Sequence, residues 1–224
     1  MVVIAILGVL VALLMTATGN VVKKADQAAA VANYRQIGTA IALYAADQNS
    51  TMPGPLAMSQ TAYYDPTNTQ QLVTRLGNYL GVKDPLVAQK VAVFVPPSYR
   101  RDANVLPFEQ AGLFLVNNGI VSNGQTLVPF GEAIAPQTAP MKILAVPTGV
   151  WLLCDSDQLH PRVVGQRWAS KTPAKPLHSP SRLALFVDGR VDFVSNDALK
   201  PAPRSGPPGG GPPGGGPPGG GPPH

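Results

Sequence analysis

The residues best suited to chemistry lie late in the chain, in the run Cys154-Asp155-Ser156-Asp157-Gln158-Leu159-His160-Pro161. Asp155 and Asp157 occupy alternate positions, with His160 just behind. Carboxylates spaced this way can contribute to a calcium shell, which takes about six to eight oxygen ligands. A dedicated calcium loop would also carry a glycine turn and a distal glutamate, and neither follows here. The competing reading is a polar turn that closes a strand at Val150–Cys154.

His178 and Asp188 form the second candidate constellation. A histidine and a carboxylate make a general-base pair only within hydrogen-bond reach. Nine residues of extended chain lie between them, so Asp188 is expected to serve a turn and His178 a loop contact. Ser179 and Ser181 lack the G-x-S-x-G setting of an activated nucleophile. The glycines from Gly206 onward are repeats, not a strand-to-helix phosphate loop. Cys154 is the one cysteine, which excludes an internal disulfide and a zinc site of its own making. Flanked by Leu152 and Leu153, it reads as a buried small hydrophobe. Trp151 and Trp168 read as core. No catalytic or cofactor-binding residue is assigned, and the chain is not expected to be an enzyme.

The charge pattern narrows the partners. Net charge is +5, but charged residues make up only 13% of 224 residues, about half the usual share. Lys23-Lys24 and Arg100-Arg101 are the only adjacent basic pairs. A nucleic-acid surface needs a basic stripe interleaved with aromatics, so no nucleic acid is expected.

These candidates must be positioned by a scaffold, and its first element is the most legible. Met1 to Gly19 reads MVVIAILGVLVALLMTATG, with no charge and only Thr16 and Thr18 polar. As a helix, 19 residues span about 28 Å at ~1.5 Å per residue, close to the ~30 Å core of a bilayer. A secretory signal would begin with a basic stretch and have a shorter apolar core. From Lys23 on, Val31, Tyr34, Ile37, Gly38, Ile41, Tyr44 and Ala45 recur at steps of three and four, which traces one stripe on a helix. Lys23, Lys24, Asp26, Arg35 and Asp47 fall mostly off it. Gly19 and Asn20 weaken the helix without stopping it. One continuous helix of nearly fifty residues is predicted, ending before Met52-Pro53-Gly54.

This N-terminus resembles that of type IV pilins and type II secretion pseudopilins, in particular the large prepilin-like families of planctomycete and verrucomicrobial type. The resemblance rests on the apolar VVIAILGVL stretch and on Asn33-Tyr34-Arg35-Gln36-Ile37-Gly38 through Tyr44-Ala45-Ala46-Asp47-Gln48-Asn49, with Pro53 following. A second motif of those families, His-x9-Asp-Gly, matches His178, Asp188 and Gly189. The two matches cover about 70 residues at the two ends of the folded region, and the stretch 55–145 matches no family pattern. The resemblance implies a pilin-like fold, a filament subunit and an inner-membrane assembly platform as partner. In the related major pseudopilins a loop of this domain holds calcium. Cleavage by a prepilin peptidase is expected only with a longer N-terminus, because the family's basic leader, its Gly-Phe junction and its early glutamate are not among these residues. Charge alone would keep a domain after Lys23-Lys24 cytoplasmic. The resemblance implies the opposite: a single-pass protein of the bacterial inner membrane with its domain in the periplasm or on an extracellular filament. Ala5, Gly8, Ala12 and Ala17 would then let neighbouring helices approach closely.

The expected fold is α+β and pilin-like. Residues 1–22 form the transmembrane half of the helix, 23–200 a globular domain that includes the amphipathic half-helix 23–50, and 201–224 a tail. A helix is predicted over Thr69 to Leu80, with Gly81 as its C-cap. Strands are predicted at Lys90–Val95, Gly112–Val116, Lys142–Val146 and Val150–Cys154. Leu183 to Val187 and Arg190 to Val194 flank Asp188-Gly189, which suits a two-residue type I′ hairpin. Val191 and Phe193 should share a buried face. The Pro-Pro-Gly-Gly-Gly tail has a period of five, unlike the three of collagen, and should be disordered. Function divides into a structural filament subunit and a non-polymerising single-pass protein with an extracytoplasmic ligand-binding domain.

Overall fold

A computed structural model describes residues 2–101, 106–122 and 125–200; for 2–18 and 101 it describes the backbone alone. The tail 201–224 lies outside the described residues. The first element is one unbroken helix, α1 (Val2–Asp47), which passes through Gly19, Asn20 and Lys24 as expected. Ala30, Tyr34, Ile37, Ala40, Ile41 and Ala45 are buried along one face. Lys23, Lys24, Arg35 and Asp47 are exposed. Asp26 corrects the sequence reading: it lies on the stripe and is buried. The helix stops where Asn49 and Ser50 take left-handed backbone (φ 53° and 60°), a common way to end a helix. Among the described residues no helix is long and apolar enough to cross a membrane. The side chains of the uncharged run up to Thr18, including Ala5, Gly8, Ala12 and Ala17, lie outside that description.

The remaining elements are short. In chain order they are β1 (Ser59–Gln60), β2 (Tyr63–Tyr64), α2 (Leu72–Arg75), β3 (Gln89–Lys90), β4 (Phe114–Val116), β5 (Ile120–Ser122), β6 (Gln125–Leu127), β7 (Trp151–Asp155), β8 (Arg182–Phe186), β9 (Val191–Val194) and α3 (Asn196–Leu199). Five of them form one sheet in the order β1-β4-β7-β8-β9, antiparallel throughout. The fold is therefore α+β, an N-terminal helix packed on an antiparallel sheet.

Side chains alternate across the strands, so the sheet has two faces. Phe114, Val116, Leu153, Leu183 and Leu185 pack with the α1 stripe. Leu115, Trp151, Cys154, Ala184, Phe186 and Val194 pack with Val163 and with Leu199 of α3. The first face includes edge-to-face aromatic contacts of Phe114 with Tyr34 and with Phe94, at 5.6 and 5.7 Å. Gly38 is where helix and sheet come closest, since a Cβ there would lie 3.0 Å from Leu185 Cδ1.

Several sequence expectations need correction. The helix predicted over Thr69 to Leu80 is only α2 followed by a 3-10 turn at Gly77–Tyr79. The chain leaves α-helical geometry at Leu76 (φ −95°, ψ 2°), and at Gly77 the Tyr64 ring fills the space a side chain would need, 2.6 Å from an ideal Cβ. Gly81 does take positive φ, 68°. Lys90–Val95 contributes only Lys90 to a strand; Ala92–Phe94 is a 3-10 turn that drives Phe94 into the core. Lys142–Val146 is not a strand either but a 3-10 turn at Ile143–Ala145. That segment is held at the exit of α1, where Met52 N–H donates to Met141 O and Ile143 N–H to Ser50 O. The hairpin β8–β9 exists with a different turn. Only Gly189 has positive φ, and Gly189 N–H donates to Phe186 O while Phe186 N–H donates to Arg190 O. This is the three-residue loop with a left-handed glycine in last place. Phe193 is 40% exposed, because β9 is the sheet edge and its α1-side face is half covered.

Candidate functional site

The most polar interior point is the C-terminal end of β7. Asp155 is the last residue of that strand, points to the α1 side and is fully buried. Its Oδ1 accepts from the Tyr34 hydroxyl at 2.7 Å. Its Oδ2 accepts from His178 Nδ1 at 2.8 Å and from the Leu183 N–H at 2.9 Å. One carboxylate thus ties α1, the segment before β8, and β8 itself. Burial, with the Asp155 charge second, pushes the Tyr34 phenol well above its ordinary value, so the hydroxyl stays a donor. Burial works against the charged form of His178, but the hydrogen bond to Asp155 and the charges of Asp155 and Asp26 outweigh it, and the imidazole is raised. The His178 ring meets Phe193 edge-on at 5.7 Å, and its Nε2 is buried without a hydrogen-bond partner among the described residues.

Asp157 serves the opposite face. After β7 the chain turns, with Leu159 N–H donating to Asp157 Oδ1 at 2.8 Å. Arg182 then grips the same carboxylate through Nη2 to Oδ1 at 2.8 Å and Nε to Oδ2 at 2.5 Å. Nη1 of Arg182 donates to Asn196 Oδ1 at the start of α3. Both members of the pair are buried, and bidentate geometry of this kind offsets the desolvation of both charges.

His160 closes the cluster. Arg162 N–H donates to its Nδ1 at 3.0 Å, so the neutral ring carries its proton on Nε2 and donates to Cys154 Sγ at 3.3 Å. Burial first, then the charges of Arg182 and Arg162, push His160 down to about 3. Burial likewise raises the Cys154 thiol well above its usual range.

The structure therefore brings together residues that the sequence singled out in separate groups. His178 pairs with Asp155 rather than making a loop contact. Asp188 is remote from that pair; its Oδ1 accepts from Arg190 N–H in the hairpin turn at 3.0 Å, the turn role expected of it. Asp155, Asp157 and His160 do close the strand with a polar turn, and that turn is buried, so its side chains act as interior fasteners. All four carboxylate oxygens already accept from protein donors, so they do not present a calcium shell. Among the described residues no group of three or more His, Cys, Asp or Glu could hold a metal ion. Tyr34, Asp26 and Arg182 escaped the sequence reading as site residues. Their sole local signal was a charged or hydroxylated side chain inside an apolar pattern. Models of known protein families, curated proteins and solved structures were compared with the chain, and none matches.

Proposed function

We propose that this chain is a pilin-like structural subunit, a pseudopilin of a type II secretion or type IV pilus-like filament. On this reading the uncharged start of α1 sits in the bacterial inner membrane and the folded domain lies beyond it. Its partners are other such subunits and an inner-membrane assembly platform. The observation that carries the reading is the continuity of α1 from an uncharged beginning to a buried, hydrogen-bonded docking on the sheet. A rod shared by lipid and domain transmits displacement, whereas a tethered domain would need a linker. Burial of Asp26 supports it, because the docking begins only two residues after Lys24. Val21, Val22 and Leu43 remain exposed along the same helix, apolar surface that neighbouring helices would cover in an assembly.

The test is fractionation followed by cross-linking. The full chain should pellet with membranes and resist alkaline extraction. Ala12→Cys, oxidised in the membrane, should give a disulfide-linked dimer, the limit for one reactive thiol per chain because Cys154 is buried. Ala5→Cys combined with it should extend the product to a ladder of covalent multimers. Release by alkali would end the anchor reading. Secure insertion with Ala12→Cys remaining monomeric would instead favour the non-polymerising ligand-binding protein.

A further inference from the structure

Arg162 differs from the other cations beside the second sheet face. Arg182 is neutralised by Asp157, Arg190 by Asp192 at 2.7 Å, and Lys200 by Asp197 at 2.6 Å. No carboxylate pairs with Arg162 among the described residues. Its guanidinium is half-buried, stacked 4.9 Å from the centroid of the Trp151 ring. One nitrogen, Nη2, donates to Gly119 O at 3.0 Å. Its Nε is buried without a hydrogen-bond partner among the described residues. Burying a charged donor without a counter-charge is unfavourable, and the desolvation registers as a lowered Arg162 pKa.

The same guanidinium lines a recess of about 310 Å³, within the size range of small-molecule sites. Trp151, Phe186 and Val194 supply apolar walls, Ala198 and Lys200 of the α3 end supply a rim, and no Asp or Glu is among the lining residues. A purely structural role explains the bond to Gly119 O. It leaves unexplained why a half-buried guanidinium with an unsatisfied Nε should line a recess that contains no acid. A guanidinium pairs with carboxylate and phosphate alike, and the apolar walls favour the anion that carries an apolar body, an organic carboxylate over inorganic phosphate.

We propose that this recess binds a small organic carboxylate, its oxygens on Arg162 and its apolar body against Trp151 and Phe186. The site stands independently of the filament reading.

The experiment uses the full chain in detergent and three probes at millimolar concentration. These are N-acetyl-phenylalanine, its uncharged amide, and inorganic phosphate. Calorimetry and the indole NMR signal of Trp151 report binding. The free acid should bind saturably and shift that signal, and the amide and phosphate should bind far more weakly. Arg162→Gln should weaken the acid about tenfold or more, as loss of a charge-assisted hydrogen bond implies. Ala198→Glu, at an exposed rim position, should weaken it similarly by offering Arg162 a carboxylate of the chain's own. That variant leaves Arg162 in place, so misfolding of Arg162→Gln cannot imitate the result. No saturable binding of the acid to the folded chain would overturn the proposal. Equal binding of the amide, equal binding of phosphate, or unchanged affinity in Ala198→Glu would do so as well.

Discussion

Removing the Tyr34 hydroxyl isolates the bond that fastens α1 to the sheet. Tyr34→Phe keeps the ring that stacks edge-on against Phe114 at 5.6 Å and deletes only the donor to Asp155. Tyr34 is 2% exposed and Asp155 fully buried, so water cannot replace that donor. A hydrogen bond to a charged group contributes about 1.5–3 kcal/mol. Asp155 keeps His178 and the Leu183 N–H, which places the cost near ~2 kcal/mol on that range. For a chain of this size that lowers Tm by roughly 4–8 °C. Thermal unfolding of the full chain in detergent, followed by near-UV circular dichroism, measures it. The control is Tyr79→Phe, which deletes a hydroxyl donating to Asp47 Oδ2 at 2.8 Å at the exposed far end of the same helix. Solvent takes over there, and no measurable loss is expected. Equal shifts in the two variants, or none in Tyr34→Phe, would refute the claim that a buried polar pin holds the helix.

Two other perturbations probe the opposite face and the histidines. Arg182→Met strands Asp157 in the interior and should cost about 3–5 kcal/mol, while Asp157→Leu combined with it should recover much of that; urea midpoints decide. His160 is pushed down to about 3 in the fold but titrates near ~6.5 when unfolded, so the unfolded chain binds a proton that the fold refuses. Stability should therefore fall as pH drops below about 6.5, and His160→Gln should flatten that slope. An unchanged slope would sink the assignment. His178, raised in the fold, works with the opposite sign: its contribution is complete below about 6.5 and is lost as pH rises through its native value.

The helix was legible because burial imposes a period of 3.6 on the stripe from Val31 to Ala45 and nothing in the chain interrupts it. The hairpin was legible because two β-rich runs flank a glycine that must take positive φ. The stretch 55–145 was opaque for a different reason. Its strands are two or three residues long, too short for a period to register. β1 is Ser59–Gln60, with no apolar residue; its position owes much to the buried Gln60 side chain, whose Oε1 accepts from Leu72 N–H at 2.5 Å and whose Nε2 donates to Gln70 O at 3.3 Å. Such contacts leave no pattern in sequence. The site was half legible. Alternating carboxylates drew attention to Asp155 and Asp157, yet Tyr34 lies 121 positions from its partner Asp155 and Arg182 lies 25 from Asp157. Spacing suggested a cation where the fold supplies a phenol, an imidazole and a guanidinium.

The polar pin also answers a question that the apolar stripe leaves open. Ile37, Ile41 and Ala45 repeat at one-turn intervals, so a slide of α1 by about 5.4 Å would bring similar side chains back against Leu183 and Leu185. Hydrophobic burial, being non-directional, would resist that slide weakly. Asp155 does not share the tolerance. A one-turn shift would carry the Tyr34 hydroxyl away and leave a buried carboxylate short of a donor. Gly38 adds a steric preference, since a Cβ at that point would lie 3.0 Å from Leu185 Cδ1 and the leucine would have to give way. Axial position is thus favoured by a buried hydrogen bond and a close approach at Gly38, specific contacts that the repeating apolar stripe does not supply. If the chain is the filament subunit proposed above, that is the direction in which its domain would be pulled.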